Sequence, residues 1–335
     1  MPDGYTVNGA GHVITAHDPG TGPSGVFEGP VVTNAGATMT LKNLTVRGTG
    51  FAYGCNNENP TAGILFLNAS RAMTNVKVLD ITQHSACLTV HAIIIRSETT
   101  QQAVNLASVT AARFQRTGLL VMGMATVHVT GSTFGPPDLT VPNPGRLAQN
   151  SVQIGSPALA GPTGGTFTGN NVTGTAFGTA ANVSTAMLLA NATGLTVSRN
   201  TFHGADTDAG IALSGVHDVV ISCNKIDRGA PDRAGFDDPY GYGISADSPS
   251  RPQTTLICNT FSGWNLNLED ITQPPCIQTR TLHPCATVHQ PYSHKLQAIN
   301  ADPAVTLTWD VISGKLPPGL RRRPGSRTRL SATTR

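Results

Sequence analysis

Hydrophobic residues occur along most of the chain in short runs, separated by polar stretches that are rich in Gly, Asn and Thr. The clearest of these runs are residues 118–121, 151–154, 186–189, 210–213 and 243–246. Runs of four or five residues with a period of two are typical of β-strands, and Gly, Asn and Thr between them favour turns. The pattern therefore predicts many short strands and no long helix.

A short motif follows each of these runs, with Asn, then any residue, then an apolar residue. It occurs as TGNNV (168–172), SRNTF (198–202), SCNKI (222–226) and ICNTF (257–261), and TGSTF (130–134) has Ser132 in the Asn position. The central positions lie 38, 30, 24 and 35 residues apart. A repeat of this length predicts a solenoid, whose coils stack about 4.8 Å apart. Stacked amides hydrogen-bond along such a stack, which predicts a structural ladder of Asn170, Asn200, Asn224 and Asn259.

Degenerate copies of the unit precede residue 118, at 39–48, 63–78 and 92–106, so we expect about eight or nine coils of an all-β solenoid. A β-sandwich of short strands is the alternative, but it does not explain the repeated Asn. The repeats resemble those of right-handed parallel β-helix proteins of the pectin-lyase-like superfamily, over residues 5–268. That superfamily contains lyases, hydrolases, epimerases and adhesins, so the resemblance implies the fold and not an activity.

The C-terminal part of the chain differs from the repeats. Residues 269–290 form a linker rich in Pro and Cys, and residues 291–320 resemble the immunoglobulin-like, cadherin-like domain of bacterial surface proteins. That resemblance rests on Tyr292, Leu296, Ala298, Thr308-Trp309, Gly314 and the LPPGL sequence at 316–320. Such a sandwich needs about 100 residues, so we expect a truncated domain. Residues 321–335 are basic and without pattern, and we expect a disordered tail.

Six cysteines favour an oxidising compartment. We expect disulfides between Cys223 and Cys258, which precede consecutive ladder positions, between Cys276 and Cys285, and between Cys55 and Cys87. A metal site of Cys276, His283, Cys285 and His289 is the alternative, although no CxxC spacing supports it. We therefore expect an extracellular or cell-surface protein. The chain begins without a signal peptide, which we interpret as a truncated or mis-set start.

Composition narrows the function. The net charge is +3, only 12% of the residues are charged, and the arginines are spread thinly outside the tail, so no nucleic-acid partner is expected. No run of 18 apolar residues occurs, which predicts no transmembrane helix. We expect a monomer.

Candidate chemistry is concentrated in residues 203–247. The catalytic candidates are two pairs of carboxylates and two arginines: Asp206, Asp208, Asp237, Asp238, Arg228 and Arg233. Paired carboxylates suit glycoside hydrolysis, and an arginine base suits a lyase. The Gly-His-Gly and Arg-x-Lys motifs of the polygalacturonase family, however, are absent from the sequence. Tyr240, Tyr242 and His203 are candidates for sugar binding, because aromatic faces stack on sugars. No cofactor is expected, except that residues 204–210 (GADTDAG) could bind Ca²⁺.

Two functions follow from these observations. The favoured one is a non-catalytic protein that binds a polysaccharide or cell-surface glycan, or serves in surface display. The alternative is a lyase or glycoside hydrolase that acts on acidic polysaccharide through residues 203–247.

Overall fold

The computed structural model describes most of the repeat region and little beyond it. Backbone and side chains are described for residues 2–17, 27, 29–48, 51, 60–83, 89–135, 149–159, 161, 163–174, 184–204, 207–229 and 241–274. Backbone alone is described for residues 49, 276–277, 292–295, 298–299, 320–322 and 329–332.

The repeat region is a right-handed parallel β-helix with three faces. All 23 of its described strands belong to one continuous parallel sheet, because long strands such as Thr117–Thr130 run round a corner from one face to the next. The first face contains Pro30–Thr33, Thr61–Leu67, the first parts of Val90–Ala107 and Thr117–Thr130, Asn150–Ile154, Thr185–Ala190, Ala209–Ser214, Tyr242–Ala246 and Leu266–Glu269. The predicted solenoid is confirmed by these registers.

The second face follows along each coil. It contains Thr6–Asn8, the first parts of Thr38–Thr49 and Ser70–Leu79, the second parts of Val90–Ala107 and Thr117–Thr130, Thr163–Thr168, Ala192–Ser198, Val219–Ser222 and Thr254–Ile257. The third face contains Val13–His17, the second parts of Thr38–Thr49 and Ser70–Leu79, Thr110–Ala112, Thr133–Phe134, Asn171–Thr173, Thr201–His203, Lys225–Asp227 and Thr260–Ser262.

Nine coils are in register on the third face. One outward-facing column runs through Val13, Thr45, Lys77, Thr110, Thr133, Asn171, Thr201, Lys225 and Thr260. Its residues are mostly polar because alternate side chains of a strand point to opposite sides, and this side faces solvent. Consecutive positions in this column lie between 23 and 38 residues apart, and the register is intact in spite of this variation.

The core fills the axis of the solenoid. Inward-facing residues of the third face, such as Phe134, Phe202 and Ile226, are completely buried. Phe134 and Phe167 pack with ring centroids 5.9 Å apart. Full burial of a large apolar side chain stabilises a fold by about 1.5–3 kcal/mol, and no single coil has enough of them to fold alone.

The corner between the second and third faces has the same backbone geometry in every coil. The residue before each ladder position has a positive φ, near 55° at Gly131, Arg199, Cys223 and Cys258 and 66° at Gly169. The αL conformation turns the chain sharply, which directs the next side chain into the interior. The repeated motif therefore marks a corner, and its Asn points inward.

Other described elements are few. A single 3₁₀ turn, Arg251–Gln253, is the only helical element in the described part of the chain. The described backbone after residue 275 forms antiparallel pairs, with Cys276–Ile277 against Ala298–Ile299, and with Arg329–Ala332 between Tyr292–Lys295 and Leu320–Arg322. No described helix has the length and apolar character needed to cross a membrane.

Candidate functional site

The four predicted asparagines form a buried ladder at the corner between the second and third faces. Each is at most 3% exposed. The side-chain oxygen of Asn224 accepts hydrogen bonds from the backbone N–H and the Nδ2 of Asn200, both at 2.9 Å, while Nδ2 of Asn224 donates to Asn259 at 2.8 Å and to the carbonyl of Val197 at 3.0 Å. The bonds repeat from Asn170 to Asn259.

Two other residue types terminate this asparagine ladder. At one end, Ser132 donates its N–H to Asn170 at 2.9 Å and accepts from the N–H of Val109 at 3.0 Å. At the other, the side-chain oxygen of Gln273 accepts from both the N–H and the Nδ2 of Asn259, at 2.9 and 2.7 Å. We use asparagine ladder for Ser132, Asn170, Asn200, Asn224, Asn259 and Gln273. Every polar atom of its four asparagine side chains is paired, so the role of these amides is structural.

An open groove lies on the solvent side of the same corner. It has a volume of about 360 Å³ and is lined by Gly131, Ser132, Thr133, Gly169, Asn170, Asn171, Arg199, Thr201 and His203. The lining comes from three consecutive coils. Glycines occupy the αL position in two of these coils, which lowers the floor of the groove, and Arg199 occupies it in the third. We call this site the corner groove.

The corner groove is polar and cationic. Arg199 is exposed, and its side chain makes no ion pair or hydrogen bond within the described residues, so its guanidinium is available to a ligand. His203 lies at the other edge of the groove, beside Asp227 of the next coil. The backbone N–H of Gly229 holds the pKa of Asp227 below its usual value, helped by Ser262, Lys225 and His203, so this carboxylate stays ionised. Thr133, Asn171 and Thr201 add a row of neutral donors and acceptors.

Asp208, a predicted catalytic residue, is part of a second buried ladder at the corner between the third and first faces. The N–H of Gln83 donates to the side chain of Gln115 at 2.6 Å, Nε2 of Gln149 donates to the carbonyl of Gln115 at 3.2 Å, and the N–H of Ser184 donates to Asp208 at 2.6 Å. The N–H of Gln149 links it to the Ser184 hydroxyl at 3.3 Å. We call Gln83, Gln115, Gln149, Ser184 and Asp208 the glutamine ladder.

Burial gives Asp208 an unusual acidity. The residue is 6% exposed, and this desolvation raises the pKa of its carboxyl, although the N–H of Ser184 and the charge of Arg228 oppose the change. The next strand begins at Tyr242, whose N–H donates to the carbonyl of Asp208 at 2.9 Å. The structure therefore brings three of the predicted site residues, Asp208, Arg228 and Tyr242, to one corner.

Arg228 is buried beneath that corner. It is 5% exposed, donates from Nη1 to Asn265 at 3.1 Å, and lies 5.9 Å from the ring centroid of Trp264. Gly241 has a φ of 63°, and a β-carbon there would stand 2.8 Å from the Arg228 guanidinium, so a larger residue would be strained and would crowd Arg228. These contacts hold Arg228 as a packed structural cation.

Several predicted residues lie outside the described part of the chain. They are Asp206, Arg233, Asp237, Asp238 and Tyr240 among the site candidates, and Cys55, Cys87, Cys285, His283, His289 and the side chain of Cys276 among the cysteine and metal candidates. Within the described residues, no group of three or more His, Cys, Asp or Glu could hold a metal ion. The proposed Ca²⁺ loop, 204–210, is described only in part.

The predicted Cys223–Cys258 disulfide is wrong. The register does place the two residues side by side, because Ser222 pairs with Ile257 and Lys225 with Thr260. Cys223, however, is a free, exposed thiol. Cys258 is disulfide-bonded to a cysteine whose side chain lies outside the described residues, so its sulfur is already engaged.

A polar column that sequence analysis did not identify starts the strands of the first face. His91 pairs with Thr117, Thr117 with Asn150, and Asn150 with Thr185. The Thr185 hydroxyl donates to Asn150 at 2.9 Å, but Nδ1 of His91 and the hydroxyl of Thr117 are buried with no hydrogen-bond partner among the residues that the structure describes. Burial, and then the charge of Arg116, lower the pKa of His91 to about 3. His91 is therefore neutral at physiological pH.

Comparisons with known proteins leave the family open. No known protein family matches the sequence, and no curated protein does so either. A structural comparison aligns the chain with the A-module of the mannuronan C-5 epimerase AlgE4 of Azotobacter vinelandii, at 13% identity and a TM-score of 0.35, over 79% of this chain and 88% of that chain. At this level the alignment carries no inference about activity, and the fold rests on the strand registers described above.

Proposed function

We propose that the protein is an extracellular or cell-surface polysaccharide-binding protein, and that the corner groove receives the glycan. The observation that carries this proposal is the exposed guanidinium of Arg199, which has no partner in the described part of the chain and stands in an open groove among Thr and Asn side chains. Sugar hydroxyls both donate and accept hydrogen bonds, and such mixed polar groups satisfy them. Successive coils repeat about every 4.8 Å, so a linear polymer along the axis meets similar side chains at regular intervals.

The sequence of residues 291–320 supports the proposed extracellular or cell-surface location. Its resemblance to immunoglobulin-like domains of surface proteins, over residues 291–320, fits a β-helix displayed outside the cell. The cysteine content agrees with an oxidising compartment.

Binding to a panel of neutral and acidic soluble polysaccharides, measured by affinity electrophoresis and calorimetry, tests the proposal. We expect Arg199→Ala to weaken binding of the best ligand about tenfold, which corresponds to the loss of one charged hydrogen-bonding group. Lys77→Ala is the matched control, because Lys77 is an exposed cation on the same face but outside the groove. The proposal fails if no polysaccharide binds, or if both variants bind as the wild-type protein does.

The second candidate is an enzyme that cleaves acidic polysaccharide, and one observation favours it. The raised pKa of Asp208 is a property of general acids in glycoside hydrolysis. A reducing-end assay and ultraviolet detection of unsaturated products would find either activity. If activity is found, it should vanish in Asp208→Asn while the far-ultraviolet spectrum is retained. Activity that survives in this variant would exclude Asp208 as the acid.

A further inference from the structure

A row of polar side chains crosses four consecutive coils on the outward side of the third face. Thr173 pairs with His203, His203 with Asp227, and Asp227 with Ser262. Each of these residues ends its strand, so the four side chains point to the same side and stand about one strand spacing, roughly 4.8 Å, apart. The imidazole of His203 therefore lies between a hydroxyl in the coil before it and a carboxylate in the coil after it.

Asp227 is held in this row as a negative charge. The N–H of Gly229 donates to its Oδ1 at 3.0 Å, and the side chain of Ser262 also hydrogen-bonds to it, which together keep the pKa of Asp227 below its usual value. Asp227 is the only carboxylate in the described strands of the third face. A carboxylate beside an imidazole orients the ring and stabilises the imidazolium that forms when the ring accepts a proton.

Thr173 and His203 are not engaged elsewhere. Neither side chain makes a hydrogen bond within the described residues, both residues are half-buried, and His203 also lines the corner groove. Gly135 ends the row on the side of Thr173 away from His203, and a β-carbon there would lie 2.7 Å from Cβ of Thr173. The glycine therefore places no side chain against the Thr173 hydroxyl on that side.

We infer that Thr173, His203 and Asp227 hydrolyse carboxylic esters, and that the substrate is an acylated hydroxyl of a glycan in the corner groove. Thr173 is the nucleophile, His203 is the general base and then the general acid, and Asp227 is a positioning residue that acts through His203. The choice of a glycan rests on the proposed function, whereas the chemistry itself requires only an ester.

The reaction has two steps that use the same imidazole. In the first, Oγ1 of Thr173 attacks the acyl carbon and its proton passes to His203. The bond from the acyl carbon to the sugar oxygen breaks, and that oxygen leaves with the proton from His203. In the second, water gives a proton to His203 and attacks the acyl-threonine ester, which releases the carboxylic acid and returns the proton to Thr173. One water is consumed, and no oxidant or reductant is needed.

Hydrolysis of p-nitrophenyl acetate by the full-length protein tests the chemistry without a glycan. We expect turnover above the buffer rate, and a loss of about 100-fold in kcat/KM in both Thr173→Val and His203→Gln. Thr45→Val is the matched control, because Thr45 is also a half-buried threonine of the third face but lies outside the groove and the row, and we expect full activity. Peptide mapping of protein quenched during turnover should find the acetyl group on Thr173.

Asp227 is tested by a readout that a purely structural role would not give. We expect Asp227→Asn to lower kcat with KM unchanged, because the substrate does not touch this residue, and Asp227→Glu to recover part of the loss. The inference is overturned if the wild-type protein does not hydrolyse the ester, if Thr173→Val is as active as Thr45→Val, or if Asp227→Asn has wild-type kcat.

An O-acetylated polysaccharide separates this inference from glycan binding. Binding is measured by affinity electrophoresis, and released acetate is measured in the same samples. We expect the wild-type protein to bind the polymer and to release acetate from it. Binding without hydrolysis of either ester would overturn the inference and leave the proposed function intact. Hydrolysis of p-nitrophenyl acetate through Thr173 without binding of any polysaccharide would support the catalytic row and contradict the proposed function.

Discussion

The two halves of the solenoid make the same corner with opposite side-chain choices. In the N-terminal coils, the inward position holds Leu44, Val76 and Val109, all buried, and the αL position before it holds Asn43, Asn75 and Ser108. In the C-terminal coils, Asn occupies the inward position, and Gly, Arg or Cys has the positive φ. The Asn side chains therefore lie on the solvent side of the corner in the N-terminal half and in the interior in the C-terminal half.

Both arrangements form a stack, but the two stacks differ in environment. Nδ2 of Asn75 donates to Asn43 at 2.9 Å, and Nδ2 of Asn43 donates to Asn8 at 3.1 Å, at exposed positions where water competes for the same groups. The asparagine ladder is dry. A hydrogen bond contributes little when water can replace it, and an unpaired group costs much when water cannot. The same backbone corner thus forms with an apolar residue in the inward position. Where the inward residue is a buried Asn, however, the corner depends on its hydrogen bonds.

The largest expected effect is the loss of a buried ladder residue. In Asn224→Ala, the N–H and Nδ2 of Asn200 lose their acceptor and the carbonyl of Val197 loses its donor. At about 1–3 kcal/mol for each unpaired group, we expect the free energy of unfolding to fall by at least about 3 kcal/mol, measured by chemical denaturation. Asn224→Asp should cost more, because it also buries a charge that cannot donate. A loss below about 1 kcal/mol would contradict the dry-ladder interpretation.

The next largest expected effect is a dependence of stability on pH that comes from His91, in the N-terminal half. The pKa of His91 in the folded protein is about 3, below its ordinary value, so the unfolded chain takes up the proton first as the pH falls. The stability that neutral His91 contributes is complete above about pH 6.5 and declines towards pH 3. At pH 5 the loss in the free energy of unfolding is about 2 kcal/mol. We expect His91→Gln to remove that decline in denaturation curves. His128→Gln, at an exposed position, is the control, and equal pH profiles for the two variants would refute the assignment.

A smaller effect concerns an ion-pair cluster in the N-terminal half. Asp80 receives hydrogen bonds from Arg47 on one coil, at 2.9 and 2.6 Å, and from Arg113 on another. Burial alone would raise the pKa of Asp80, but Arg113 and Arg47 outweigh it, and the pKa is lowered. Its contribution is therefore present above pH 3.8 and lost as the pH falls further.

Because the arginines remain partly in solvent, we expect Asp80→Asn to cost only about 1 kcal/mol at pH 7, and less in 1 M salt. Unfolding measured at both salt concentrations checks this. A cost that is insensitive to salt would indicate that the cluster is stabilised by packing rather than by charge.

The smallest expected effect is that of an exposed Asn, and it tests most directly whether burial makes the asparagine ladder important. Asn75→Ala removes the equivalent of a ladder bond at an exposed position, and we expect a change within about 0.5 kcal/mol by the same denaturation assay. If Asn75→Ala and Asn224→Ala shift the unfolding midpoint equally, then location inside the corner is not what makes the ladder important.

The sequence predicted the coils and their register because identical residues recur at the corner. From Asn170 to Asn259, every Asn is followed two positions later by an apolar residue, so their alignment required no structural knowledge. The glutamine ladder could not be found in this way, since Gln, Ser and Asp alternate at one position and long, unequal insertions separate them. For the same reason, Asp208 was assigned to catalysis on its residue type alone. The cysteine register was right but the pairing was not, because a repeat that places two cysteines side by side does not determine that they bond to each other.

The asparagine ladder also has a direction. Every N–H and Nδ2 from Asn170 to Asn259 donates towards the next coil, and Gln273 accepts the last pair while its own Nε2 returns to the carbonyl of Asn259 at 3.1 Å. Gln273 therefore ends the ladder. It lies 14 residues after Asn259, which is less than a full coil. For protein engineering, this means that the solenoid can be lengthened by duplicating a whole coil upstream of Gln273, where each new Asn meets the one before it. A coil appended after Gln273 would find that end of the ladder already occupied.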